Sequence, residues 1–577
     1  MLKKTVAILL SCVMLSVCLS AAFAEAGEVI QCDIVVIGGG ISGLMAAVAA
    51  SDAGANVVLV EKQAVFGGSA AYSSGFMTTV NNDNFGEDVD DSLEHTLEVL
   101  MGSHNESPDK TYPDIEALTA ILNETGVTID FMLAHGMTAE FTAKSTATTA
   151  WSGKGAGMMA NLVSIAQNQG VTLMTETRAT EILMQDGAAV GIKAVQGDQE
   201  IIINAQKVIV CAGGAANNWE MLIEAMPSIE NVPLVIDASP GDTGDGYAMM
   251  KAIGAKFYDG MRVMEGGIKT KASLNVRLAT TGLSFDAEGN RYTNESPRTN
   301  QMLTFYMIED GSSAYYWLYD TSDEAVAAAL AEGLDSGEVF YGETIEALAE
   351  ALSIDPTALR TTFDRYQELA IAGEDTDFGK SSDKLTIYAD GGYYAVKEYP
   401  VSWGTLGGVV TDNVGHVYAQ NDEIIPNLFA AGEMTNRKFF SDFYVGGNSL
   451  TTSATLGRLA GQTAAQEADF TPMERKNPIE AETDEADAPM EGTVYVTEVA
   501  TDRGIIKVQT VIAADGTIVA IEVLEHSETP GLGTVAIEKM LPAMVAGNTA
   551  HVDTVSGATQ TSNALVEAVQ AALDAAQ

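Results

Sequence analysis

The segment Asp33-Ile34-Val35-Val36-Ile37 runs straight into Gly38-Gly39-Gly40-Ile41-Ser42-Gly43, and an alanine-rich stretch then continues to about Asp52. The apolar run reads as a buried strand, the glycines as a tight turn and the alanine-rich stretch as a helix, with Val57 to Val60 as a second parallel strand. Each glycine of Gly38-x-Gly40-x-x-Gly43 then has its own task. The first permits the turn, the second lets a pyrophosphate approach the backbone, and the third lets helix pack on strand. The helix N-terminus faces the negative charge. Glu61 follows Gly43 by eighteen residues, at the end of the second strand, where a carboxylate accepts from both hydroxyls of a ribose. This β-α-β start specifies a doubly wound α/β domain that binds a dinucleotide, and by itself it does not separate FAD from NAD.

The 577 residues amount to several domains, and 46 % apolar with 7 % aromatic residues excludes wholesale disorder or a rod. Acidic residues number 79 against 30 basic ones, a formal charge of −49. That field disfavours nucleic acid as a partner, and an anionic substrate would need a local basic site. Residues 1–24 carry Lys3 and Lys4, an apolar run from Val6 to Val17 and Ala22-Phe23-Ala24, the layout of a secretory signal. Export is expected, to the periplasm or to the cell surface. In Leu15-Ser16-Val17-Cys18 a bulky Val stands where a lipoprotein signal takes a small residue, which argues against a lipid anchor. Cleavage leaves Cys32 and Cys211, too few for a disulfide framework and without metal-ligand spacing, so buried free thiols and no metal site are expected.

Glu181 to Val210 alternates around Asp186-Gly187 and ends at Cys211-Ala212-Gly213-Gly214, a strand entering a glycine turn; Leu428-Phe429-Ala430-Ala431-Gly432-Glu433 returns to that style. Residues 25–236 and 391–471 therefore read as the dinucleotide domain, interrupted by an α+β capping domain at 237–390. Residues 472–490 are rich in Pro and Glu/Asp and read as an acidic linker. Residues 491–577 form a small α+β unit, with two alternating runs flanking Asp515-Gly516 and a helix pattern after Ser562.

Gly67 to Gly75, Val210 to Asn217, Thr243-Gly244-Asp245-Gly246, Ala430-Ala431-Gly432-Glu433, and Gly446-Gly447-Asn448-Ser449 with Gly457-Arg458-Leu459-Ala460-Gly461 occur in an order that resembles the FAD-dependent fumarate reductase and flavocytochrome c superfamily. The resemblance implies a Rossmann-like domain holding FAD non-covalently through Gly38, Gly40, Ser42, Gly43, Glu61, Lys62, Gly68, Ser69, Gly213, Asp245, Glu433, Asn448, Ser449 and Leu450. Glu433 would accept from ribityl or ribose hydroxyls, and Asp245 would do similar work from the inserted domain. The family's proton donor is an arginine after a segment like Gly289-Asn290-Arg291-Tyr292-Thr293-Asn294-Glu295-Ser296-Pro297-Arg298, which implies that role for Arg298. An arginine donates only if a relay returns its proton at once. Arg277 stands near the family's second relay arginine, no acid lies three residues before it, and Glu265 is the substitute. A structural ion pair is the plain alternative for Arg298.

Three departures bear on substrate. Met261 to Gly266 lacks the family's His-Pro-Thr, Gly404 precedes Thr405-Leu406-Gly407-Gly408 where a His would stand, and Tyr444 stands where a substrate-clamping Arg would be. A dicarboxylate would bury charge without partners, which is costly. Fumarate is thus disfavoured unless Arg262, Arg277 or Arg437 rebuilds a clamp. Tyr444 is read either as a hydrogen-bond donor to a substrate carbonyl or as packing.

Asp553-Thr554-Val555-Ser556-Gly557-Ala558-Thr559, together with His526 and Glu528-Thr529-Pro530-Gly531-Leu532-Gly533, resembles the FMN-binding domain of sodium-pumping quinone reductases. That resemblance implies FMN joined by a phosphoester to Thr559, surrounded by Ser556, Gly557, Ala558, Glu528, Thr529, Gly531 and Leu532, and a flavin transferase for maturation. Thr561 is the second-choice attachment residue, and Asp553 and Ser556 read alternatively as helix caps. Two flavins imply electron flow from a membrane or extracytoplasmic donor through FMN to FAD, and then as hydride to the activated C=C of an unsaturated acid or enone, in anaerobic respiration. No pyridine nucleotide is expected. A non-catalytic flavin electron carrier and a ketosteroid-type dehydrogenase running oxidatively are the competing readings.

Overall fold

The computed structural model describes residues 28–472 and 492–576, apart from 106, 108, 109, 277, 279–281, 298, 299, 502, 503, 527–532, 553, 556 and 557. The leader, nearly all of the acidic linker, Arg277 and Arg298 therefore lie outside the described residues.

Strand β1 (Glu28–Ile37) is parallel to both β2 (Val57–Val60) and β3 (Gln199–Val210). Ile37 is in register with Val60 on one side and Val210 on the other, so the three strands end level and their following turns converge. Helix α1 (Ile41–Asp52) connects β1 to β2 and is buried from Ile41 to Ser51. A helix apolar all round must be covered on every side. The sheet covers one face of α1, and α2 (Asn448–Glu467) lies against another, where Gly457 and Gly461 abut the backbone of Ser42 and Ala46 with no room for a Cβ. The sheet runs His416–Tyr418, β4 (Ile424–Ala430), β3, β1, β2 and Thr172–Met174, with the hairpin Thr177–Gln185/Ala188–Gln196 added to β3. At the hairpin turn Asp186 and Gly187 have φ of 52° and 82°, the pair of positive angles a two-residue turn needs.

The second sheet is organised around β5 (Tyr393–Leu406), which pairs with Val235–Ile236, Arg262–Lys269, Tyr315–Asp320 and Val339–Gly342. The expected return to the first domain at residue 391 thus falls just before a strand committed to the second sheet. The chain rejoins the first sheet only at His416–Tyr418 and β4. Because β5 is buried almost throughout, its apolar run carries no sign of which sheet it serves.

The C-terminal unit is an antiparallel meander of Thr493–Thr501, Gly504–Ile512 and Ile518–Glu525, covered by the helices Gly533–Gly547 and α3 (Thr559–Ala575). Ile506, Val508, Met540, Leu565 and Val569 fill its core. Helix α3 begins at Thr559, three residues before Ser562. Cys32 and Cys211 are free, and burial pushes both thiols up to about 12, which makes them inert.

Candidate functional site

A cleft of about 740 Å³ opens where β1, β2 and β3 end. It is lined by Gly38, Gly40, Ser42, Glu61, Lys62, Gly68, Ser69, Gly213, Asp245, Glu433, Ser449 and Leu450, which seven separate stretches of chain bring together. Gly43 and Asn448 stand behind this wall. A Cβ at Gly43 would strike the Gly38 carbonyl, as the helix-packing role of a third glycine requires, and the Asn448 amide turns back to donate to the Val445 carbonyl at 3.0 Å. Gly40 has no atom within 4 Å of where its Cβ would be, and no side chain caps α1. The first N–H groups of that helix are therefore open to an anion such as a pyrophosphate. The Glu61 oxygens each accept one backbone N–H at 2.8 Å, from Gly39 and from Gln63, which aims the carboxylate and leaves lone pairs for a ribose. The site thus fits a dinucleotide by shape and by donor chemistry.

Asp245 lines the cleft and carries two ion pairs. Its Oδ2 accepts from Lys62 Nζ at 2.9 Å and Arg178 Nε at 3.0 Å, and its Oδ1 from Arg178 Nη2 at 2.8 Å. Two cations from distant parts of the chain hold this carboxylate at the cleft wall. The unforeseen acid is Asp242, three residues earlier in the same glycine turn, which is 3 % exposed and lines the cleft beside Glu433. Its place among glycines, in Gly241-Asp242-Thr243-Gly244-Asp245-Gly246, was the available signal.

Trp403 and Tyr444 wall another part of the cleft, edge to face with centroids 6.0 Å apart, and Phe440 backs Tyr444 at 5.4 Å. The Tyr444 hydroxyl accepts from Ser449 N–H at 3.3 Å, and its backbone N–H donates to Glu265 at 3.1 Å. Glu265 sits at a bulge in the Arg262–Lys269 strand, where two register shifts against β5 turn the side chain inward. Burial pushes its carboxyl up to about 8. Arg262 and Arg437 both converge on the buried Asp442, at 3.6 Å and 3.0 Å, and Arg262 also pairs with Glu309. Neither is a free clamp cation, and neither lines the cleft. Arg291, Glu295, Asp375 and Lys380 form a buried ionic network with contacts of 2.8 to 3.0 Å that pins the segment leading to Arg298.

Residues 33–450 match the FAD binding domain family. The chain belongs to that family. In this flavoprotein the dinucleotide of the cleft is FAD, and residues 503–574 match the FMN-binding domain family, which makes the C-terminal meander the second flavin site. The flavoprotein is 30 % identical over 471 residues to a urocanate reductase of Eggerthella lenta, across 77 % of this chain and 76 % of that one. It is 28 % identical over 451 residues to a fumarate reductase (cytochrome) of Shewanella frigidimarina, across 75 % and 77 %. The open conformation of a flavocytochrome c3 fumarate reductase superposes with a TM-score of 0.59 at 24 % identity, covering 78 % of this chain and 80 % of the other, and so shares its fold. The chain is an FAD-dependent oxidoreductase of the fumarate reductase and flavocytochrome c superfamily.

At the second flavin site of this flavoprotein, Thr559 is exposed at the first turn of α3, whereas Thr561 is 3 % exposed and Ala558 is buried. Thr559 is thus accessible from solvent where Thr561 is not. Ser556, Gly557, Glu528, Thr529, Gly531 and Leu532 lie outside the described residues.

Proposed function

We propose that this flavoprotein is an exported reductase that takes electrons from a membrane or extracytoplasmic donor and reduces the activated C=C bond of an unsaturated acid with at most one carboxylate, or of an enone, as a terminal step of anaerobic respiration. Its reductase relatives support action on a C=C bond. One observation carries the substrate class: the cleft wall beside Tyr444 offers a phenol and an indole, while the nearby Arg262 and Arg437 are paired with Glu309 and Asp442. Among the described residues, the cations that line the cleft are Lys62 and Arg178, both committed to Asp245, and Lys144, which lies over the Phe76 ring and can pair one substrate carboxylate.

When bound, the flavins supply the redox chemistry, electron relay at the C-terminal domain and hydride delivery in the large cleft. The chain supplies the proton and the polarisation. Glu265 keeps its proton at neutral pH, because its carboxyl titrates at about 8, and so can restore a proton that Arg298 gives to the substrate carbon next to the hydride acceptor. The Tyr444 oxygen accepts from Ser449, which leaves its own proton for a substrate carbonyl as enolate charge develops. The exposed Thr559 hydroxyl is the attachment point for FMN, installed by a flavin transferase. The test is a panel of enoates, enones, urocanate and fumarate offered to dithionite-reduced protein, read as flavin reoxidation. Fumarate as the best substrate overturns the substrate class, and no reoxidation by any member favours a non-catalytic carrier.

A further inference from the structure

An anion approaching so acidic a chain needs a local cation, and the cleft holds one that no carboxylate of the described residues takes up. Of the three cations that line it, Lys62 and Arg178 are paired with Asp245, and Lys144 has no ion pair among the described residues. Lys144 stands at the tip of the hairpin formed by Ala139–Ala143 and Ala147–Trp151, where its backbone N–H donates to the Thr146 carbonyl at 2.9 Å. Its Nζ lies 3.1 Å from the centroid of the Phe76 ring, which holds the side chain from one side. The tip itself is anchored. The buried Thr146 and Thr78 hydroxyls are hydrogen-bonded at 3.2 Å, and the Thr78 N–H donates to the Gly447 carbonyl at 3.3 Å. Gly447 belongs to the turn that carries Tyr444, so these two hydrogen bonds fix the hairpin of Lys144 against the aromatic wall of the cleft.

We propose that Lys144 pairs with the carboxylate of the substrate, and that the substrate is therefore an unsaturated monocarboxylic acid and not a neutral enone. The inference rests on the reading of the chain as a C=C reductase and chooses between the two substrate classes that reading allows. Charge selects the ligand group. An ammonium carries three donors and no acceptor, and with the Phe76 ring against one side of it the rest of its surface faces the cleft. The FAD pyrophosphate is served instead by the open N-terminus of α1, which abuts Gly67 and Gly68. One free ammonium matches one carboxylate, because Arg262 and Arg437 are already held by Glu309 and Asp442. The apolar lining makes the pairing worth more than it would be in open water, since Phe76, Trp403 and Tyr444 displace solvent around it. An uncharged enone would fill the same space and leave the ammonium without its anion.

The test uses the full-length holoprotein with oxidised FAD, titrated with acrylate, crotonate and cinnamate and with the uncharged amide of each, and reads binding from the flavin difference spectrum. The wild type should prefer an acid to its amide, and added salt should erode that preference. Lys144→Met keeps the length of the side chain and its contact with the Phe76 ring while removing the charge. It should weaken the acid by about ten- to a hundredfold and leave the amide nearly unchanged. Lys144→Arg should restore the preference, and with dithionite-reduced protein the loss in Lys144→Met should appear in KM for the acid. Equal binding of acid and amide in the wild type for every pair overturns the proposal and leaves the enone class standing. An acid preference that survives in Lys144→Met overturns it too, as does a shifted FAD midpoint potential with that preference unaltered, which would assign the ammonium to the flavin. Fumarate bound more tightly than any monoacid, and weakened in Lys144→Met, upholds the pairing and overturns the single-carboxylate class. No spectral change with any acid or amide overturns both.

Discussion

The backbone N–H of Tyr444 donates to the side chain of Glu265 across 3.1 Å, tying a bulge in the second sheet to the glycine turn that leads into α2. One hydrogen bond between residues 179 apart in sequence thus joins the capping domain to the FAD cleft at its aromatic wall. It also explains how an acid survives there. Glu265 is buried with a neutral carboxyl, poised at about 8, beside a backbone donor that serves either protonation state.

That titration predicts a pH dependence of stability. A carboxyl raised from its usual 4.5 to about 8 stays protonated in the folded chain while the unfolded chain ionises, so the unfolded state binds fewer protons across that window. Unfolding free energy should fall as pH rises between these values and level off above them. Glu265→Gln should remove up to one proton of that slope, about 1.4 kcal/mol per pH unit. Denaturant midpoints measured at intervals from pH 5 to 9 check this; identical slopes in both proteins count against a protonated Glu265.

Tyr444→Phe keeps the ring against Trp403 and Phe440 and removes only the hydroxyl. If the phenol polarises the substrate carbonyl, turnover should fall by about 3 kcal/mol in barrier, roughly a hundredfold, with FAD content unchanged. An unaltered rate assigns Tyr444 to packing and to holding Ser449.

Arg298→Ala should leave FAD reducible by dithionite and lower alkene reduction by about 10² to 10⁴, the usual worth of a positioned proton donor. Stopped-flow measurement separates the two half-reactions. Wild-type reoxidation by substrate removes Arg298 from the mechanism and leaves it a structural ion pair.

Thr559→Ala should abolish covalent FMN, seen by intact-mass spectrometry after coexpression with a flavin transferase, while FAD and reduction of substrate by artificial reductants persist. Thr561→Ala should keep its FMN, because that hydroxyl is buried on the inner side of α3. Flavin found at residue 561 would reverse the assignment.

Much of this architecture was readable from local sequence. The turn from Ile37 through Gly43, the parallel start of β2 and the hairpins at Asp186-Gly187 and Asp515-Gly516 involve neighbours in the chain, and the freedom to adopt the positive φ seen at Gly38, Gly187 and Gly516 belongs to glycine itself. Other features were settled only by tertiary structure. The strand Tyr393–Leu406 is buried on both faces, and nothing in it says which sheet will take it. Asp245 and Asp242 share one glycine turn and one chemistry, yet Lys62 and Arg178, from distant parts of the chain, neutralise the former and leave the latter beside Glu433. Arg262 and Arg437 read as candidate clamp cations until Asp442 is found between them. Sequence determined which groups can carry charge and how the backbone turns beneath them. Which charges stay available for a ligand depended on what the fold placed within hydrogen-bond distance, because neutralisation acts through space and not along the chain.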